Sequence, residues 1–186
     1  MKLLKRPYFA VLLCILVVLG STALSAGLKL SGKCGGVIDG FYDGVRYNKE
    51  DHAAIAHQIS ELCDVAEDMA VIADNYGINT DSVDQLSSRM RATLNSRSRD
   101  ISEVSAQYKE FSAALKALES TLHSSGLSER HTTLMQEYSV DMIDAVQAIS
   151  GSCYNESVRD FLQRNDRFPA AAIAGLFNIQ FPAYFS

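Results

Sequence analysis

The side chains able to do chemistry are few and scattered. Four histidines, His52, His57, His123 and His131, are the first candidates for holding a metal or moving a proton. A metal site inside a helical bundle needs His or carboxylate pairs at i, i+3 or i, i+4, all pointing inward. His57/Glu61 and Glu119/His123 have that spacing, but no Glu-x-x-His occurs, and these positions fall off the apolar seams traced below. A solvated face accounts for them. Glu61, Asp64, Glu67, Asp68 and Asp74 form a second cluster, inside residues 48–84 that hold nine acids and one base. Acids at that density attract divalent cations, yet no loop carries the alternating Asp/Asn-Gly pattern of a calcium site. The cluster reads as an exposed acidic face, with Arg89, Arg91, Arg97 and Arg99 available to pair with it on the same bundle or on a partner. Nucleophiles fare no better: there is no Gly-x-Ser-x-Gly, and no Cys accompanied by a credible His/Asn set. The Asn155-Glu156-Ser157 glycosylation pattern falls within a helix. No catalytic residue, cofactor site or metal site is assigned, and no small-molecule substrate is evident.

Charge narrows the partners. Lys2, Lys5 and Arg6 are gathered at the N-terminus, and the rest of the chain carries 14 Lys+Arg against 22 Asp+Glu. A domain that acidic repels phosphate backbones, and its Arg cluster lacks interleaved aromatics, so nucleic acid is excluded. At 186 residues and 47% hydrophobic, the chain predicts one packed domain. Cys34, Cys63 and Cys153 beyond the N-terminal segment are odd in number. A Cys63–Cys153 bridge is conceivable, and free thiols suit a reducing interior equally well.

The basic N-terminus precedes an uncharged run from Pro7 to Leu28, closed by Lys29. As a helix those residues span roughly 33 Å, against a hydrocarbon core of ~30 Å. The run predicts a membrane-spanning signal anchor, or a signal peptide cut near Ala23 to Ala26, within residues 1–28. The positive charges ahead of it are compact and abut the apolar segment, which places the following domain on the extracytoplasmic side. Six glycines between Gly27 and Gly44 then predict a flexible linker over 29–47.

From residue 48 the pattern is helical. Ile55, Ile59, Leu62, Ala66, Met69, Ala73 and Tyr76 recur at alternating spacings of four and three, one face of an amphipathic helix. Val83, Leu86, Met90 and Leu94 resume it, so a helix over 48–94 with a break near 78–80 is expected. Ile101, Val104, Tyr108, Phe111, Leu115, Leu118 and Leu122 predict a helix over 101–124. Met135, Tyr138, Met142, Val146, Ile149 and Cys153, continued by Val158, Phe161 and Leu162, predict another over 128–166. Phe168-Pro169 stops it, and a short helix over 170–177 follows. No strand alternation is evident. The fold class is all-α: an N-terminal transmembrane or signal-anchor helix, then an antiparallel bundle of three to four long helices over 48–186.

The C-terminus adds a family signal. Tyr154-Asn155-Glu156-Ser157-Val158, Arg167-Phe168-Pro169, Ala174-Gly175-Leu176-Phe177 and Ala183-Tyr184-Phe185 stand in the order and spacing of the LemA family, which this stretch resembles. Gln58 to Gly77 is similar to the family's first core helix, without its usual Pro-Asn pair or the Trp often seen ahead of it. The resemblance implies a membrane-associated helical bundle and brings no enzymatic activity or catalytic residues.

Phe168, Ile173, Leu176, Phe177, Phe181, Tyr184 and Phe185 concentrate large apolar side chains at this end of the chain. They either fold back to cap the bundle or form a docking surface for a partner or the membrane interface. The expected function is a membrane-anchored, non-enzymatic protein of interaction or scaffolding at the cell envelope, attached through residues 7–28 and meeting a protein partner of unknown identity. The alternative is a secreted helical module that binds an apolar ligand or peptide.

Overall fold

A computed structural model describes residues 7–186; the basic cluster Lys2, Lys5 and Arg6 lies outside them. The chain is all-α apart from one small hairpin. Helix α1 runs Pro7–Asp43, strands β1 Val45–Tyr47 and β2 Glu50–His52 follow, and then α2 Ile55–Asp74, α3 Asp81–Asn95, α4 Ile101–Ser124, α5 Glu129–Ser150, α6 Tyr154–Asn165 and α7 Ala170–Phe177. It divides into two compact units. One comprises the chain up to Gly36 with Asp160–Phe181, the other Val37–Arg159 with Pro182–Ser186.

The larger unit is the bundle. Its centre is α2, which packs against α3, α4 and α5. An element touched on three sides must bury more than one stripe, and α2 does: Cys63, Val65 and Ile72 are buried beside the expected Ile59, Leu62, Ala66 and Met69. Phe111, Leu115 and Leu122 from α4 and Met90 from α3 complete the core. The α5 stripe departs from the expected one. Ala145 is buried while Val146 stays 38% exposed. A methyl group is what lets a helix approach α2 closely, and α2 with α5 is the most extensive helix pair of the bundle.

Local signals fix the helix ends. Asp100 accepts a hydrogen bond from the Glu103 amide at 3.1 Å and Ser128 accepts one from the His131 amide at 3.4 Å, so α4 and α5 each begin on a side-chain cap. Tyr76, just past α2, ties that end to the start of α5: its phenol oxygen accepts from the Ser128 amide at 2.9 Å and lies 2.9 Å from His131 Nδ1.

Three expectations need correction. The Gly-rich linker over 29–47 is helix as far as Asp43. Gly27, Leu30, Cys34, Ile38 and Phe41 are buried at spacings of three and four, a helical stripe that the glycine count concealed. Each interior Gly costs about 0.5–1 kcal/mol relative to Ala, and burial of this stripe offsets it. Residues 48–54 are not the start of a helix but part of the hairpin, with Val45 opposite His52 and Tyr47 opposite Glu50. Asn48 and Lys49 both take positive φ at its two-residue turn, the geometry that matches strand twist. Gly44, at φ +89°, enters the hairpin where a Cβ would lie 2.6 Å from the His52 carbonyl oxygen. Lastly, the expected helix over 128–166 is broken at 151–153, where Cys153 turns left-handed at φ 55°. The helices expected over 101–124 and 170–177 are present as α4 and α7.

Candidate functional site

The seven apolar residues of the C-terminal cluster do not form one surface. Phe185 is buried in the bundle unit, its ring 5.2 Å from those of both Phe41 and Tyr108. Tyr184 beside it is half exposed. Phe181 stacks edge-on against Phe161, centroids 5.5 Å apart, within the smaller unit. Phe177 covers Gly27 of α1, and Ile173 lines a small groove with Ala26, Lys29, Leu30, Lys33 and Pro169. Phe168 and Leu176 touch little: they are 87% and 71% exposed.

The end of the chain is held in the bundle unit mainly through its backbone. The Asn155 amide donates to the Phe185 carbonyl at 2.7 Å and accepts from the Phe185 N–H at 2.9 Å. Tyr154, itself fully buried, donates its hydroxyl to the Ala183 carbonyl at 3.1 Å. Ser105, buried on α4, donates to the Ser186 carbonyl at 2.6 Å and accepts from the Ser186 amide at 3.1 Å. Burial pushes the Tyr154 phenol well above its ordinary pKa, which keeps it a neutral donor. The adjacent Tyr-Asn pair and the distant terminal aromatic thus share one task. Each half of that pattern is the other's binding partner, across about thirty residues of chain. Asn155 has both polar atoms engaged in this clamp.

No family model, curated protein or solved structure matches the chain.

The remaining polar candidates fall into pairs. Arg91 reaches Asp64 at 2.6 Å and Glu67 at 3.1 Å, joining α3 to the acidic face of α2. Arg97 sits on Asp43 at 2.6 Å, near Asp39 at 3.8 Å, and over the Tyr42 ring. Arg89 approaches Glu110 at 4.0 Å. His57 lies 3.2 Å from Glu61 on an exposed stretch of α2, His52 contacts the Gly151 carbonyl, and His131 meets Tyr76. Among the described residues no three His, Cys, Asp or Glu converge in a way that could hold a metal ion. Cys63 and Cys153 are free thiols, as are Cys14 and Cys34. Burial raises the pKa of Cys63, so that thiol stays protonated at neutral pH.

Two surfaces of the bundle were not evident from the sequence. Glu61, Asp64 and Asp68 of α2 face Asp141 and Asp144 of α5 across an open groove of about 550 Å³. Tyr138 stands beside it, its pKa raised by burial and then by Asp68. The α2 acids were visible as a run, but their α5 counterparts are isolated in sequence and only the packing brings them opposite. A second slot of about 440 Å³ lies between α4 and α5, lined by Met142, Ile143 and Val146 together with Lys116, Glu119 and Gln147.

Proposed function

We propose that this chain is a single-pass, membrane-anchored helical-bundle protein of LemA type that acts in protein interaction or scaffolding at the cell envelope, without catalysis. The observation that carries the reading is the state of α1. Every residue from Val11 to Leu19 is exposed, all are uncharged, and they lie in a helix whose apolar window is long enough to cross a bilayer. A run of exposed Leu, Val and Ile of that length is unfavourable in water at about 25 cal/mol per Å² of apolar surface, and hydrocarbon removes the cost. Among the described residues Arg91 and Arg97 pair with surface carboxylates, and His52 and His131 are engaged by the Gly151 carbonyl and the Tyr76 hydroxyl, contacts that tie the bundle together. Chemical crosslinking in intact membranes, followed by affinity capture of the full chain, tests the interaction role. A specific crosslinked protein partner is expected, and a chain recovered with none contradicts it.

The domain is assigned to the extracytoplasmic side, because the compact positive charge at Lys2, Lys5 and Arg6 adjoins the span. An alkaline phosphatase fusion after Ser186 is expected to be active; a well-expressed but inactive fusion reverses the orientation. One observation favours the second reading, a secreted module for an apolar ligand. The α4/α5 slot counts Met142, Ile143 and Val146 in its lining, and Ile143 is 55% exposed. Release of the chain into the medium, with saturable binding of a hydrophobic dye lost in Ile143→Asp, would select that reading.

A further inference from the structure

The short helix α7 has no aqueous face. Its residues, Ala170 to Phe177, contain no polar side chain at all. Ala170, Ile173, Ala174 and Phe177, at i, i+3, i+4 and i+7, make the stripe turned towards α1. Ala174 is buried, Ala170 and Ile173 line the groove with Ala26, Lys29, Leu30 and Lys33, and Phe177 lies against Gly27. The opposite stripe, Ala171, Ala172, Gly175 and Leu176, is equally apolar and stays open, and Phe168 just ahead of the helix is 87% exposed. A helix apolar on every side belongs in a protein core or in lipid. Among the described residues nothing covers its open stripe.

Its position on α1 says what does. The Phe177 ring occupies the space a side chain at position 27 would need, 2.7 Å from an ideal Cβ there. Gly27 is the penultimate residue of the uncharged run, and Lys29 and Lys33 follow within two turns. In a membrane-spanning α1, the boundary between acyl chains and headgroups falls at that level. Around α7 the exposed charges are mostly basic: Lys29, Lys33, Arg164 and Arg167, with Asp166 opposing them. Apolar faces flanked by lysines and arginines fit an interfacial element, whose aromatic and aliphatic side chains enter the acyl region while the cations meet lipid phosphates.

We infer that Phe168 to Phe177 is a second membrane-contacting element, seated on α1 at the bilayer interface with Phe168 and Leu176 in the lipid. The inference rests on the anchor reading of α1, and the experiment separates the two. The chain has no Trp, so one introduced indole is a unique reporter. Three full-length variants, Leu176→Trp, Phe168→Trp and, as a control within the span, Leu16→Trp, are reconstituted in phosphatidylcholine vesicles containing phosphatidylglycerol. Each is then titrated with lipids brominated high or low on the acyl chain. All three sites are exposed, so the fold tolerates the change. The expected result is about two-fold or greater quenching of Leu176→Trp and Phe168→Trp, stronger with bromine near the headgroup, and quenching of Leu16→Trp that is stronger with deep bromine. Quenching confined to Leu16→Trp overturns the inference and leaves the anchor intact, showing that α7 faces water or protein. Quenching of none of the three overturns both.

Discussion

Replacing Asn155 tests the tail clamp most sharply. Asn155→Ala removes two short hydrogen bonds, at 2.7 and 2.9 Å, to the backbone of one residue, Phe185. Net contributions of such bonds are about 0.5–1.5 kcal/mol each, and a donor or acceptor left dry costs about 1–3 kcal/mol more. The tail can relieve that penalty by detaching, which exposes the Phe185 ring and forfeits about 1.5–3 kcal/mol of burial. Either route predicts a loss of about 2–4 kcal/mol, a large share of the ~5–15 kcal/mol typical of a domain. Asn155→Asp refines the test. Its carboxylate accepts from the Phe185 N–H but cannot donate to the Phe185 carbonyl, so at neutral pH it loses nearly as much. Once protonated it regains a donor, so its folded-state pKa is raised and its stability is present at low pH and lost as pH rises through that pKa. Urea melts of the full chain in detergent, followed by circular dichroism at neutral pH and near pH 4, read both effects. An Asn155→Ala variant within about 0.5 kcal/mol of the parent, together with an Asn155→Asp variant insensitive to pH, would refute the clamp.

Other outcomes follow from the same packing. Leu115 is 1% exposed, so Leu115→Asp puts an unpaired carboxylate into the core and is expected to abolish the cooperative melt, since such burial costs several kcal/mol; an unchanged melting temperature would remove Leu115 from the core. Gly44→Ala forces a Cβ onto the His52 carbonyl at positive φ and is expected to lower stability by about 1–3 kcal/mol, measured by urea titration, whereas Gly77→Ala, with open space around it, shows only the φ penalty. Burial raises the Tyr154 and Cys63 pKa values, so both groups favour the folded state below their unfolded pKa of about 8.5–10, and stability falls as pH rises above it; Tyr154→Phe is expected to flatten the alkaline slope of melting temperature against pH.

The parts of the fold that were legible in the sequence are those in which a single helix face meets a single neighbour. The α4 seam from Ile101 to Leu122 is such a face, and its limits are marked by Asp100 and by Ser125-Gly126. Legibility failed where two signals competed. In α1 the glycines spoke for a linker, while the stripe from Gly27 to Phe41 demanded a helix, and packing decided the matter. Three-residue strands are too short to show alternation, so the hairpin left no trace except Asn48 and the glycine at 44. At 151–153 the apolar stripe picks up again beyond the Gly151-Ser152 interruption, which suggested a weak point in one helix, whereas α5 ends on Gly151 and a left-handed Cys153, which no spacing rule signals, completes the break. The apolar cluster from Phe168 to Phe185 was visible as composition. Its division between a buried ring and exposed ones was not, because the partners of Phe185 are Phe41, Tyr108 and Asn155, all far away in sequence. The α2/α5 acid groove has the same cause.

Membrane attachment through α1 is the claim on which the account turns, and alkaline carbonate extraction of cell membranes tests it most directly. Exposed apolar residues from Val11 to Leu19 predict that the full chain stays in the pelleted membranes after the wash, and that a chain lacking residues 7–28 leaves with the supernatant. Recovery of the full chain in the carbonate supernatant, or in the medium, would contradict it.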